Sequence, residues 1–144
     1  MRMIIQRVLN ASVKVNNEMV GAIDHGLLVL IGITHDDNLE DIVAGANKLT
    51  KLRIFNDENG KMNKSIQDVG GKILLVSQFT LYGDASKGNR PSFISAAKPE
   101  LANLLYEEMK KELRKLNVVV ESGVFGADMQ VSLINDGPVT IILE

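Results

Sequence analysis

The chain has no cysteine and no tryptophan, and only two histidines, His25 and His35. Without cysteine there is no disulfide framework, no thiolate zinc site, no iron–sulfur cluster and no sulfur nucleophile. Two histidines ten positions apart, His25 in an Asp-His-Gly turn and His35 before an acidic stretch, supply neither a histidine-rich metal shell nor an obvious serine–histidine pair. Both read as solvated turn residues, and no metal or cofactor is expected. A strong excess of one charge sign is also missing. Sixteen basic against eighteen acidic side chains leave a formal charge of −2, so no broad basic field draws the chain onto nucleic acid. No apolar run approaches the length of a membrane span, and Met1 to Arg7 lacks the apolar core of a secretion signal. The sequence reads as cytoplasmic, with no membrane partner. Gly-x-Gly-x-x-Gly, the Walker phosphate loop, the Gly-x-Ser-x-Gly elbow and His-x-x-x-His are all lacking.

What is present is the composition of an ordinary folded domain, with 45% hydrophobic and 24% charged residues in a chain of 144. No linker or repeat divides it, so residues 1–144 are expected to form one domain. Met3–Val15 is rich in Ile and Val, and Asn16-Asn17 offers a hairpin turn into a second strand. Leu27–Ile33 and Lys72–Ser77 read as strands covered on both faces. Asp36, Asp37 or Asn38 can cap a helix whose Leu39, Ile42, Val43, Ala46, Leu49 and Leu52 follow the 3.6 period. Residues 56–64 read as a polar loop. Pro99-Glu100 opens a second helix with Leu101, Leu105, Met109, Leu113 and Leu116 on one face and basic residues at its end. Strands are expected at Val118–Val120, around Met129–Leu133 and at Val139–Leu143. About seven strands and two main helices imply an α/β fold of α+β character. Its sheet is mixed and largely antiparallel, with both helices on one side.

Three segments invite a reading beyond structure. Ser77-Gln78-Phe79-Thr80-Leu81 ends a buried strand in three hydrogen-bonding side chains around one aromatic. Such residues are either turn formers or groups presented to a ligand. Lys87-Gly88-Asn89-Arg90-Pro91-Ser92-Phe93 is either solvated surface or a loop able to hold a phosphate and stack a base. Asn135-Asp136-Gly137-Pro138-Val139-Thr140 reads first as a hairpin bend between the last two strands.

These segments, with Gln6-Arg7-Val8 and Phe125-Gly126-Ala127-Asp128-Met129-Gln130-Val131, occur in the order and spacing of one family. Over essentially its whole length the sequence resembles the D-aminoacyl-tRNA deacylases of bacteria and eukaryotes. The resemblance implies an enzyme that hydrolyses the ester between a D-amino acid, or glycine mischarged on tRNA(Ala), and the 3′-terminal adenosine of tRNA. It implies a homodimer joined through the sheets, with each active site at the interface. The catalytic segment would be Ser77, Gln78, Phe79 and Thr80. A cis Gly137-Pro138 bond from the partner subunit would reject L-aminoacyl esters, oriented by Arg7, with Met129 in support. Lys87, Arg90 and Phe125 are the candidates for holding the tRNA end.

Rejection of L esters has a simple physical form, because a rigid wall excludes a side chain that points the wrong way. Glycine, with no side chain to clash, should pass. The backbone N–H groups of Phe79 and Thr80 are the candidate oxyanion donors. Thr80 is either a nucleophile or a positioning residue, and no base for it is apparent, so the substrate's own 2′-hydroxyl is the preferred activator of water. Two other classes fit the same residues: a non-catalytic dimer that binds nucleotides or RNA, and a different small-molecule hydrolase on this scaffold.

Overall fold

A computed structural model describes residues 1–144. Eight strands and three helices follow the chain as β1 (Arg2–Val15), β2 (Glu18–Ile23), β3 (Gly26–Gly32), α1 (Leu39–Lys51), β4 (Phe55–Asn56), β5 (Met62–Lys64), α2 (Ile66–Val69), β6 (Lys72–Ser77), α3 (Pro99–Lys115), β7 (Val120–Ser122) and β8 (Gln130–Leu143). A 3₁₀ turn over Phe79–Tyr82 follows β6. Six strands form the main sheet in the order β2-β1-β3-β6-β7, with β8 on β1. The β1 pairings with β2, β3 and β8 are antiparallel, and β3-β6 and β6-β7 are parallel. The sheet is therefore mixed, as the strand pattern implies.

Local chemistry sets most boundaries. Asn16 and Asn17 adopt φ of 50° and 64°, the left-handed geometry that a two-residue hairpin turn requires and that asparagine tolerates. Asn38, the last of the three candidate caps, starts α1. Its side chain accepts from Asp41 N at 3.1 Å while Asp41 Oδ2 accepts from Asn38 N at 2.9 Å, a reciprocal cap worth about 1 kcal/mol against alanine. α3 opens at Pro99, where the missing N–H costs nothing.

Two clusters fill the interior. The larger lies between the sheet and the helices, where Met3, Ile5, Val29, Leu75, Leu105 and Met109 are buried. The smaller lies under the other face, where Val8, Ala11, Val13, Leu28, Leu74 and Val76 meet. Alternate residues of β3 and β6 feed the two clusters, so both strands read as continuous apolar runs. The sheet curls until β2 touches β7. A Cβ on Gly21 would stand 2.6 Å from the Ser122 carbonyl oxygen, a contact only glycine permits.

Two expectations need correction, and one short helix adds to the two main ones. The 56–64 stretch contains a small hairpin, β4 with β5, closed by Asp57, whose Oδ1 accepts from Asn59 N at 2.8 Å and Lys61 N at 3.0 Å. A short third helix, α2, begins at a capping box of Ser65 with Asp68. The largest difference is at Gly137-Pro138, which is no hairpin bend. β8 pairs with β1 on both sides of it, Gln6 facing Thr140 and Val8 facing Asn135. Asp136 to Val139 thus bulge out opposite Arg7 alone, because one neighbouring strand is long enough to bind both flanks.

Candidate active site

β6 stays in register with β3 up to Ser77 opposite Ile31. Gln78 N then donates to Ile31 O at 2.8 Å, and the backbone swings at Gln78 (φ −144°, ψ 82°) into the 3₁₀ turn. The turn's first satisfied donor is Leu81 N, bonded to Gln78 O at 3.2 Å. The N–H groups of Phe79 and Thr80 therefore open the turn with no partner inside it, as the first donors of any helical turn must. No side chain caps them.

Beside this turn lies a cavity of about 630 Å³ whose lining includes Ser77, Gln78 and Phe79 from β6 and its turn. Opposite them stand Phe125 and Met129 from the approach to β8 and Val131 from the strand itself, with Lys98 at the N-cap and Pro99, Ala102 and Tyr106 from the N-terminal half of α3. Phe93 closes the side formed by residues 83–98, its ring 5.2 Å from that of Phe79 and edge-on to it. Hydrogen bonds tie this stretch down: Thr34 Oγ1 donates to Ser95 O at 2.6 Å and His35 Nε2 lies 2.7 Å from Ile94 O. His25 is also exposed, so both histidines occupy solvated turns.

The lining is mainly apolar, and its titratable side chains are Lys98 and Tyr106 alone. The Tyr106 hydroxyl is committed, donating to Leu75 O at 2.8 Å, and burial pushes its pKa up to about 12. No carboxylate or imidazole lines the cavity. Thr80 sits exposed on the turn, just outside the lining, and its hydroxyl accepts a hydrogen bond from Gln78 Nε2. That contact steers the hydroxyl without removing its proton, because an amide is no base. Nowhere are three or more His, Asp or Glu side chains gathered as metal ligands.

A second constellation forms around the β8 bulge. Arg7 is 6% exposed; its Nη1 donates to Ile54 O at 2.8 Å and to Asn56 Oδ1 at 3.3 Å, and its Nε to Asp136 O at 3.3 Å. Asn135 Oδ1 accepts from Val139 N at 3.1 Å, closing the bulge at its base. The Gly137–Pro138 peptide bond is cis and both residues are exposed. Neither lines the cavity, so one chain does not bring Gly137 and Pro138 to Ser77–Thr80. Lys87 and Arg90 lie exposed on the 83–98 stretch, away from the lining.

The structure thus gathers Ser77, Gln78, Phe79, Phe125 and Met129 at one cavity, with Thr80 at its edge. Lys98 and Tyr106 are the titratable cavity residues that sequence reasoning missed. Tyr106 had a signal: it follows Leu105 on the buried stripe of α3, where a hydroxyl needs a partner.

These features define a mixed α/β protein with an apolar pocket at the end of a sheet strand, and comparison with known proteins supplies the family. The sequence pattern described as D-Tyr-tRNA(Tyr) deacylase matches residues 4–144, and the chain belongs to that family. A D-aminoacyl-tRNA deacylase of Geobacillus sp. (strain WCH70) is 58% identical over 144 residues, all of this chain and 95% of the relative. One from Exiguobacterium sibiricum is 57% identical over all of this chain and 99% of its own. Among solved structures, one described as c-Myc DNA Unwinding Element Binding Protein superposes with a TM-score of 0.94 at 43% identity, covering 100% of this chain and 98% of that one. A probable eukaryotic D-amino acid tRNA deacylase shares the fold, with a TM-score of 0.85 at 20% identity over 99% and 97% of the two chains.

Proposed function

We propose that this chain is a D-aminoacyl-tRNA deacylase, hydrolysing the ester that joins a D-amino acid, or glycine on tRNA(Ala), to the terminal ribose of tRNA. The observation that carries the reading is the turn at Phe79–Tyr82: two unpartnered backbone N–H groups beside an apolar cavity without a carboxylate or imidazole. Such a site has electrostatic help for an oxyanion and no base of its own. Phe79 and Thr80 N–H receive the negative charge as water adds to the ester carbonyl. The vicinal 2′-hydroxyl of the substrate orients and activates that water, and the 3′-oxygen leaves with the proton. An aminoacyl ester is already labile, so this modest help suffices. Thr80 positions through its hydroxyl, and Ser77 and Gln78 hold the turn.

The protein acts as a homodimer of single-domain subunits in the cytoplasm, where aminoacyl-tRNA serves translation. Gly137 and Pro138 of the second subunit complete the cavity and exclude L side chains, with Arg7 fixing their orientation. Their placement outside the cavity of their own chain supports this reading. Met129 and Phe125 wall the pocket. Lys87 and Arg90 meet the single-stranded tRNA end, where local charge and stacking count for more than a broad basic face.

The test is to incubate the pure protein with D-aminoacyl-, L-aminoacyl- and glycyl-tRNA and follow amino-acid release. Release from the D and glycyl forms, with the L form spared and specific activity falling on dilution to monomer, is expected. Binding of the tRNA end without release would make the protein a non-catalytic nucleic-acid module.

A further inference from the structure

The Phe79–Tyr82 turn is held from below and from its far end by residues remote in sequence. It rests on Gly32, where a Cβ would stand 3.0 Å from Gln78 O, 3.1 Å from Leu81 Cβ and 3.2 Å from Tyr82 Cδ2. Beside Gly32 on β1 stands Arg2, its partner in register. Arg2 Nη1 donates to Leu81 O at 2.7 Å, and the guanidinium carbon lies 4.8 Å from the centre of the Tyr82 ring. On its other side Nε lies 2.8 Å from Glu144 Oε1. That approach is off hydrogen-bond geometry, so it acts as a charge contact only. One planar cation thus grips both the backbone and the side chain of the turn's last two residues. A lysine reproduces the charge and the single bond to Leu81 O but not the fork or the ring contact.

We propose that Arg2 is a positioning residue for ester hydrolysis, clamping the end of the turn whose beginning supplies the oxyanion donors. The inference rests on the deacylase reading for its catalytic consequence. Donors of this kind act through preorganisation, and a displacement of a fraction of an ångström is enough to weaken them. Arg2 touches no reacting atom. Its side chain is 35% exposed, so replacing it leaves no buried hole.

The experiment compares wild type, Arg2→Met and Arg2→Lys by site-resolved amide hydrogen exchange and by steady-state hydrolysis of D-aminoacyl-tRNA. In Arg2→Met, exchange at the Leu81 and Gly83 amides should quicken severalfold while the Leu28 and Leu74 amides keep their protection. kcat should fall about tenfold with KM unchanged, and Arg2→Lys should recover much of it. Unchanged kcat, or unchanged exchange in the turn, overturns the proposal. So does acceleration of all amides alike, which marks Arg2 as a merely structural residue. If the wild type releases no amino acid from any aminoacyl-tRNA, the deacylase reading fails, and exchange at Leu81 and Gly83 alone decides whether Arg2 holds the turn.

Discussion

Arg7 and Asp136 meet twice, the Arg7 Nε donating to the Asp136 backbone oxygen at 3.3 Å and lying 3.2 Å from its carboxylate Oδ2. The pair crosses from β1 to the bulge in β8. Because Arg7 Nη1 also bonds Ile54 O and Asn56 Oδ1, one buried cation ties the bulge to the β4 hairpin.

Arg7→Met should therefore destabilise the protein by about 2–4 kcal/mol. The substitution leaves the buried Ile54 carbonyl and two part-buried acceptors without a donor, which costs more than the bonds themselves contribute. Urea unfolding would show it as a lower midpoint with little change in slope. Arg7→Lys should fall between the two, since one ammonium cannot reach Ile54 and Asp136 together.

Gly137→Ala should also destabilise, by roughly 1–3 kcal/mol. The native φ of +126° is one that L side chains rarely adopt, and the new Cβ would lie 2.8 Å from Val139 Cγ2 and 3.2 Å from Arg7 Nη2. Equilibrium unfolding measures the loss. A variant as stable as wild type would mean that the bulge relaxes freely.

Thr80→Ala should keep a substantial fraction of hydrolysis, while a tRNA ending in 2′-deoxyadenosine should be nearly inert. Thr80 has a Gln78 amide beside its hydroxyl and no base in the cavity. Single-turnover rates on the two substrates check this. Complete loss in Thr80→Ala with normal turnover of the deoxy substrate would make Thr80 the nucleophile.

Tyr106 predicts a loss of stability in alkali. Its pKa, raised by burial from 10.0 to about 12, means that between those values the unfolded chain has released the proton and the folded one retains it. The contribution is complete below pH 10 and is lost as pH rises through about 12, up to roughly 3 kcal/mol. Tyr106→Phe should flatten that slope, and it should lose about 1 kcal/mol at neutral pH with the bond to Leu75 O. Denaturant midpoints from pH 8 to 12 on both proteins would show it.

Much of the fold is legible residue by residue. The Lys72–Ser77 strand, the Asn16-Asn17 turn and the start of α3 at Pro99 stand where local patterns put them. Each is decided within a few positions by apolar continuity, left-handed tolerance or a missing N–H. α2 escaped although Ser65 and Asp68 carry the spacing of a capping box, because no apolar stripe of useful length accompanies it. The bulge at Gly137-Pro138 escaped for a different reason. Gly-Pro between two apolar stretches has the local chemistry of a turn, and only the length of β1 on the neighbouring side keeps both stretches in one strand.

The site divides along the same line. The sequence by itself marked the candidate segment, since Ser77 to Thr80 lie at the end of a buried strand in a motif shared with a family. It also excluded thiolate chemistry, because the chain holds no cysteine. Tertiary structure alone decided that Phe125, Met129, Lys98 and Tyr106 face that segment across one cavity. It alone placed Arg2 on the far end of the Phe79–Tyr82 turn and Gly137-Pro138 outside the cavity of their own chain. Caps, turns and strand ends are settled by interactions a few residues apart. A cavity is settled by how distant elements pack, and no local pattern carries that distance.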